Sequence, residues 1–172
     1  MTILADDAFY NKQITSVNIP NSVVSIGAGV FQTNLLTSAS IPDSVVSLGN
    51  QSFSSNQISN LYIGNSVNSI GNYVFYMNNL TDVVIPDSVD SIGVWAFASN
   101  QLTGVSIGDS VTSIGRSSFY NNQLTSVTIP SSVTSMGERA FQFNEGIVCR
   151  VSVSAPFNPS YANMECGTIE RY

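Results

Sequence analysis

The apolar positions of this chain follow one pattern that returns every 22 residues, with phenylalanine at Phe9, Phe31, Phe53, Phe75, Phe97, Phe119 and Phe141. Isoleucine keeps the same step at Ile19, Ile41, Ile63, Ile85, Ile107 and Ile129, and glycine keeps it at Gly27, Gly49, Gly71, Gly93, Gly115 and Gly137. A fixed period of about 20 to 50 residues is the signature of a solenoid, whose units bury their apolar faces only against their neighbours.

The unit from Leu102 to Gln123 shows what each position predicts. Leu102, Val105 and Ile107 can point to one side of a strand entered from a turn, while Gly104 and Ser106 point to the other. The next residue is Pro20, Pro42, Pro86 or Pro130 in four units and Gly64 or Gly108 in two. Proline has no N–H and glycine is permissive, so both end a strand and open a turn. The following Ser-Val-x-Ser-Ile-Gly brings Val111 and Ile114 inward, ahead of a glycine expected at positive φ. A short helical or 3-10 turn is then expected to carry the phenylalanine inward and end at Asn122. That asparagine recurs from Asn34 to Asn144. Buried between stacked turns, it can satisfy backbone groups that no ladder reaches. The serine columns, such as Ser44, Ser88 and Ser132, read the same way. The expected fold is an α/β solenoid of mostly strand and loop, with a parallel sheet, short second strands and helical turns. Residues 1–145 would form about six coils and residues 146–172 a C-terminal cap, because a bare terminal coil would expose its core.

Charge narrows the function. Between Lys12 and Arg116 there is no lysine or arginine, whereas the same stretch holds Asp43, Asp82, Asp87, Asp90 and Asp109. A nucleic-acid partner needs cations to neutralise phosphates, so that class is disfavoured. No apolar run reaches the roughly 20 residues of a membrane span. The chain has no histidine, hence neither the commonest general base nor the commonest metal ligand. No activated nucleophile stands out, and the chain is read as no enzyme, with no cofactor and no metal. A calcium ion between Asp87 and Asp109 is a weaker reading than turn closure, since Asn21 and Asn65 fill the same slot.

The two cysteines, Cys149 and Cys166, lie beyond the last full repeat. A disulfide between them would tie down the cap and contribute about 3 kcal/mol, in an oxidising compartment. The other reading is a pair of buried free thiols. The chain begins inside a repeat, with Leu4 at the isoleucine position and Phe9 at the phenylalanine position. We therefore expect a piece of a longer protein, whose first coil is uncapped and open to self-association.

The pattern N-x-L-x-x-V-x-I-P-x-S-V-x-S-I-G-x-x-A-F, carried by Asn34 to Phe53 and its equivalents up to Phe141, resembles the BspA-type leucine-rich repeat of bacterial surface proteins. The resemblance implies a right-handed solenoid on an extracellular or surface-attached protein with a role in adhesion or ligand capture. It implies no catalytic residue and supplies no ligand.

The candidate site is therefore sought at variable outward positions filled by large apolar residues. Two neighbouring units concentrate Tyr73, Tyr76, Met77, Val94 and Trp95 on one edge, with Tyr62 and Val84 on the outward face of the strands. Exposed aromatic patches on a polar surface are what interfaces are made of. The bland alternative is that these rings pack over the turns beneath them. The function expected is non-catalytic binding of a protein or glycan; the alternative is a structural spacer that presents another domain.

Overall fold

The computed structural model describes residues 2–152 and 165–172. The chain runs through β1 (Thr2–Leu4), β2 (Val23–Ile26), β3 (Ser38–Ile41), β4 (Ser47–Leu48), β5 (Asn60–Ile63), β6 (Ser69–Ile70) and β7 (Asp82–Ile85). It continues through β8 (Ser91–Ile92), β9 (Gly104–Ile107), β10 (Ser113–Ile114), β11 (Ser126–Ile129), β12 (Ser135–Met136), β13 (Val148–Val151) and β14 (Thr168–Arg171). All the strand pairs are parallel, as a stack of like coils requires. Partners stand one repeat apart: Ala39 faces Leu61, and Val83 faces Val105.

The sheet that runs unbroken is the one built from the short second strands. Seven strands follow in the order β1-β2-β4-β6-β8-β10-β12. The longer strands join only as β3-β5, β7-β9 and β11-β13-β14. The breaks fall before β7 and β11, the strands that run into Pro86 and Pro130. The paired strands β5 and β9 run into Gly64 and Gly108 instead. Proline cannot donate the closing ladder bond and its ring holds the coil below at a distance. Glycine allows the opposite, because a Cβ at Gly108 would sit 2.6 Å from the Pro86 oxygen.

Side chains follow the same alternation. In the proline coils Ser44, Ser88 and Ser132 donate to the Val23, Val67 and Val111 carbonyls of the coil before, at 2.6–2.7 Å. In the glycine coils the backbone N–H groups of Asn65 and Asp109 donate instead to Asp43 and Asp87, at 2.7 and 2.8 Å. From Pro42 onward, therefore, proline and glycine coils alternate, and each glycine coil is the one tightly paired to the coil before it.

The expected helical turns are absent from the described residues, and tight turns take their place. The cause is a left-handed residue at two positions of each coil. One column holds Gln51, Tyr73, Trp95, Ser117 and Arg139, and the other holds Ser55, Met77, Ser99, Asn121 and Phe143, with φ of 53–60°. A left-handed residue every fourth position breaks a helix and turns its N–H groups sideways. Trp95, Phe97 and Ser99 accordingly donate to Arg116, Ser118 and Tyr120 of the next coil, at 2.8–3.0 Å. The recurring glycine, expected at positive φ, is not left-handed at any of its six positions. It is there for closeness: a Cβ at Gly93 would lie 2.5 Å from the Gly71 carbonyl carbon.

The core is a column of rings. From Phe9 to Phe141 each phenylalanine lies 5.2–5.7 Å from the next, close to the rung spacing of about 4.8 Å in a parallel sheet. Beside it runs the expected asparagine ladder. Asn56 accepts the Leu36 N–H at 3.1 Å and donates to the Phe31 and Phe53 carbonyls at 2.8 and 3.1 Å. The same three bonds recur at Asn34, Asn100, Asn122 and Asn144.

One column breaks the rule that buried polar groups find partners. Ser52 and Ser118 are buried with no hydrogen-bond partner for their hydroxyls, in a column otherwise filled by Val30, Val74, Ala96 and Ala140. Removing such a hydroxyl without altering shape should stabilise by about 1 kcal/mol. We expect Ser118→Ala to raise the urea midpoint, and a lowered midpoint would refute this account of the column.

At the C-terminal end β13 and β14 add two further rungs to β11. Cys149 and Cys166 form a disulfide, with Cα atoms 6.0 Å apart. The bond links β13 to the segment leading into β14. Residues 153–164, expected to fold over the open end, lie outside the described residues.

Candidate functional site

Two surfaces carry the outward apolar residues, and they share no residue. The first is an open concavity of about 980 Å³ over β3, β5, β7 and β9. Strand alternation sends Ala39, Val83 and Ile85 into the core and leaves Tyr62 and Val84 on the concave face. Val84 is 68% exposed and Tyr62 48%. A valine this open, on a strand in a concave face, is an apolar contact without a partner.

Tyr62 is held in place. Its hydroxyl donates to the Asp43 carboxylate at 3.0 Å, and the same Asp43 oxygen accepts the Asn65 N–H at 2.7 Å. The bond to the Asp43 carboxylate, which stabilises the neutral phenol, raises the Tyr62 pKa above the usual tyrosine range. A phenol is protonated at neutral pH even at its ordinary pKa of about 10, and this bond extends its donor form to higher pH.

The groove's margins are acidic. Asp82 opens β7, and Asp87 and Asp109 stand just past the ends of β7 and β9; all three line the concavity. Asp43 and Asp87 each accept a backbone N–H of the next coil, the turn-closing role expected for that column. Among the described residues no group of three His, Cys, Asp or Glu is placed to hold a metal ion.

The second surface is the aromatic edge. Tyr73, Tyr76 and Trp95 come together as expected: Tyr73 stacks on Trp95 at 6.3 Å, and Tyr76 meets both rings edge-on at 5.6 and 5.9 Å. Two rings outside the expected set extend the cluster. Tyr120 lies 4.8 Å from Trp95, and Phe143 meets Tyr120 edge-on at 4.9 Å. Phe143 occupies the column of Met77, two residues past the core phenylalanine, and that register was the signal that could have found it. Tyr73, Tyr76, Val94, Trp95 and Tyr120 are each half-buried, while Met77 and Phe143 are 51% and 61% exposed. The rings thus cover one another, and the edge is partly its own packing. Tyr62 and Val84 make no ring contact with this cluster, so the expected seven-residue site divides in two.

With this geometry in hand, the repeats can be matched to known ones. The BspA type leucine rich repeat region matches in six copies, over residues 2–123 and 68–155. The chain belongs to this family. Among solved structures, the leucine-rich repeats superpose on a leucine rich cell surface protein from Faecalibacterium prausnitzii with a TM-score of 0.67 and 25% identity, over 86% of this chain and 42% of that one. They superpose on the pneumococcal vaccine antigen PcpA with a TM-score of 0.54 and 19% identity, over 90% of this chain and 52% of that one. The chain thus spans about half the length, or less, of the solved leucine-rich repeat proteins it resembles. No curated protein matches it. Among the described residues, no helix is long and apolar enough to cross a membrane.

Proposed function

We propose that this leucine-rich repeat chain is a non-catalytic binding module of a bacterial surface or secreted protein, which captures a protein or glycan ligand on its concave face. The observation that carries this reading is Val84, exposed on the strand floor of a groove beside Tyr62, whose hydroxyl is hydrogen-bonded to Asp43. Binding sites favour preorganised surfaces, because little conformational freedom remains to be lost on association. The disulfide supports an oxidising and therefore extracytoplasmic setting. The cell-surface description of the Faecalibacterium protein points the same way. The aromatic edge, with Met77 and Phe143 outermost, is a second contact surface of the same module.

The test is a binding screen against matrix proteins and glycans, run on the parent chain, on Val84→Ser and on Trp95→Gly. Glycine is the residue this left-handed column itself carries at Gly29, so that variant spares the turn. We expect Val84→Ser to weaken a captured ligand about tenfold, the loss of one buried apolar contact, with Trp95→Gly affecting it less. A ligand indifferent to Val84→Ser and lost in Trp95→Gly would move the site to the aromatic edge. Silence across the panel would leave the chain a spacer.

A further inference from the structure

The groove also carries negative charge. No lysine or arginine lines it, and none occurs anywhere between Lys12 and Arg116. The ion pair formed among the described residues joins Arg150 to Glu170, at the far end of the stack. Asp82 opens β7 and Asp87 stands in the turn after it, so the strand, about 10 Å from Asp82 to Ile85 at about 3.3 Å per residue, holds them on opposite margins of the floor. Asp87 and Asp109 occupy neighbouring rungs of one margin, about 4.8 Å apart. Val84 and the Tyr62 ring lie between the margins. Carboxylates gathered around a concave wall focus their field into it, repelling anions and raising the local concentration of cations.

Resting on the binding reading above, we propose that the groove takes an extended cationic peptide segment of a partner protein, with lysine or arginine side chains at the two acidic margins and an apolar side chain over Val84. An extended chain sends successive side chains to opposite faces, so a segment with basic and apolar residues at every second position, such as Lys-Ser-Val-Ser-Lys, turns both kinds toward the groove at once. Electrostatic complementarity of this kind sets which partners associate and how fast. An acidic protein or an anionic glycan is repelled by the same field.

The experiment uses a fluorescein-labelled peptide that repeats Lys-Ser-Val-Ser, which puts lysine and valine on one face of an extended chain, with counterparts in which glutamate or serine replaces each lysine. Binding to the whole chain is read by fluorescence anisotropy at two salt concentrations. The variants are Asp82→Asn/Asp87→Asn/Asp109→Asn in one chain, Val84→Ser, and Asp90→Asn, a charge change outside the groove. Asparagine keeps the side-chain oxygen that accepts the Asp109 N–H, and Asn65 already fills that column in a neighbouring coil. The triple variant should therefore fold, which an unchanged melting temperature confirms.

We expect the lysine peptide to bind at least about tenfold more tightly than either counterpart and to weaken as salt rises. We expect the triple variant and Val84→Ser each to lose most of that binding, and Asp90→Asn to keep it. Equal binding of the lysine and serine peptides overturns the proposal, as does full binding by the triple variant. Binding lost in the triple variant but intact in Val84→Ser also overturns it, since attraction then needs charge and not the groove. A ligand from the screen that depends on Val84 but not on the carboxylates would leave the binding function standing and remove only its cationic partner. No binding in either experiment removes both.

Discussion

Phe97→Ala should cost about 3–5 kcal/mol, the range for emptying a fully buried aromatic site. Phe97 has no exposed surface, and its ring lies 5.3 Å from Phe75 and 5.4 Å from Phe119 in the middle of the column. Its neighbours are held by backbone bonds to the coils on either side, so the cavity cannot collapse without disturbing two interfaces. A solenoid's stability is close to a sum over neighbouring coils, which makes a central defect worse than its cavity alone. The coils before and after residue 97 should uncouple, and denaturation should lose its single transition. Trp95, the one tryptophan of the chain, sits beside the defect and reports the first step by fluorescence, while circular dichroism reports the rest. Phe143→Ala is the control: that ring is outside the column and largely exposed, and its loss should cost under about 1 kcal/mol. Similar costs for the two variants would mean that the ring column is not what joins the coils.

Asn100→Leu should cost about 4 kcal/mol although shape and volume are nearly kept. Its side chain accepts the Leu80 N–H at 3.1 Å and donates to the Phe75 and Phe97 carbonyls at 2.9 and 3.0 Å. Leucine leaves the Leu80 N–H and the Phe75 carbonyl buried and unpaired, at about 1–3 kcal/mol each before any relaxation, while the Phe97 carbonyl keeps its bond from Asn122 at 3.0 Å. Asn100→Asp separates the two halves of the role. It keeps the acceptor for Leu80 but sets a buried carboxylate against two carbonyl oxygens. Burial and repulsion raise that carboxyl's pKa above its unfolded value. The destabilisation is therefore full above the folded pKa and shrinks as pH falls through it, when the protonated acid can donate again. Chemical denaturation across acidic and neutral pH would show this. An Asn100→Asp variant equally unstable at every pH would mean that the donor bonds matter little.

The core of the molecule was legible in the sequence because solenoid packing is local in the repeat. Each phenylalanine meets the one 22 residues away, so register in the sequence is contact in space. The asparagine ladder followed from the same logic: a polar residue kept in phase with buried ones must be satisfying the turns between coils. The disulfide was legible as a pairing, since Cys149 stood in phase with inward valines such as Val127 and faces it across β11 and β13. The candidate site was only half legible. Tyr62 and Val84 were identifiable as outward residues on neighbouring strands, and Tyr73, Tyr76 and Trp95 as one edge. The groove between Asp82, Asp87 and Asp109 was not, because concavity belongs to the stack and not to a single coil.

The sequence by itself determined the period, the inward set of each coil, the buried asparagines and the outward variable positions, because each depends on residues at fixed offsets. Tertiary structure alone decided the backbone between them. The glycine column is set by carbonyls of the coil below, not by its own dihedral freedom. The left-handed residues are ordinary side chains such as Gln51 and Ser117, whose composition carries no such signal. Their strain persists because each turn passes its N–H groups to a neighbouring coil. The pairing of the longer strands depends on whether a proline or a glycine meets the coil below. That choice is visible at every repeat, yet it acquires meaning only when two coils are laid against each other.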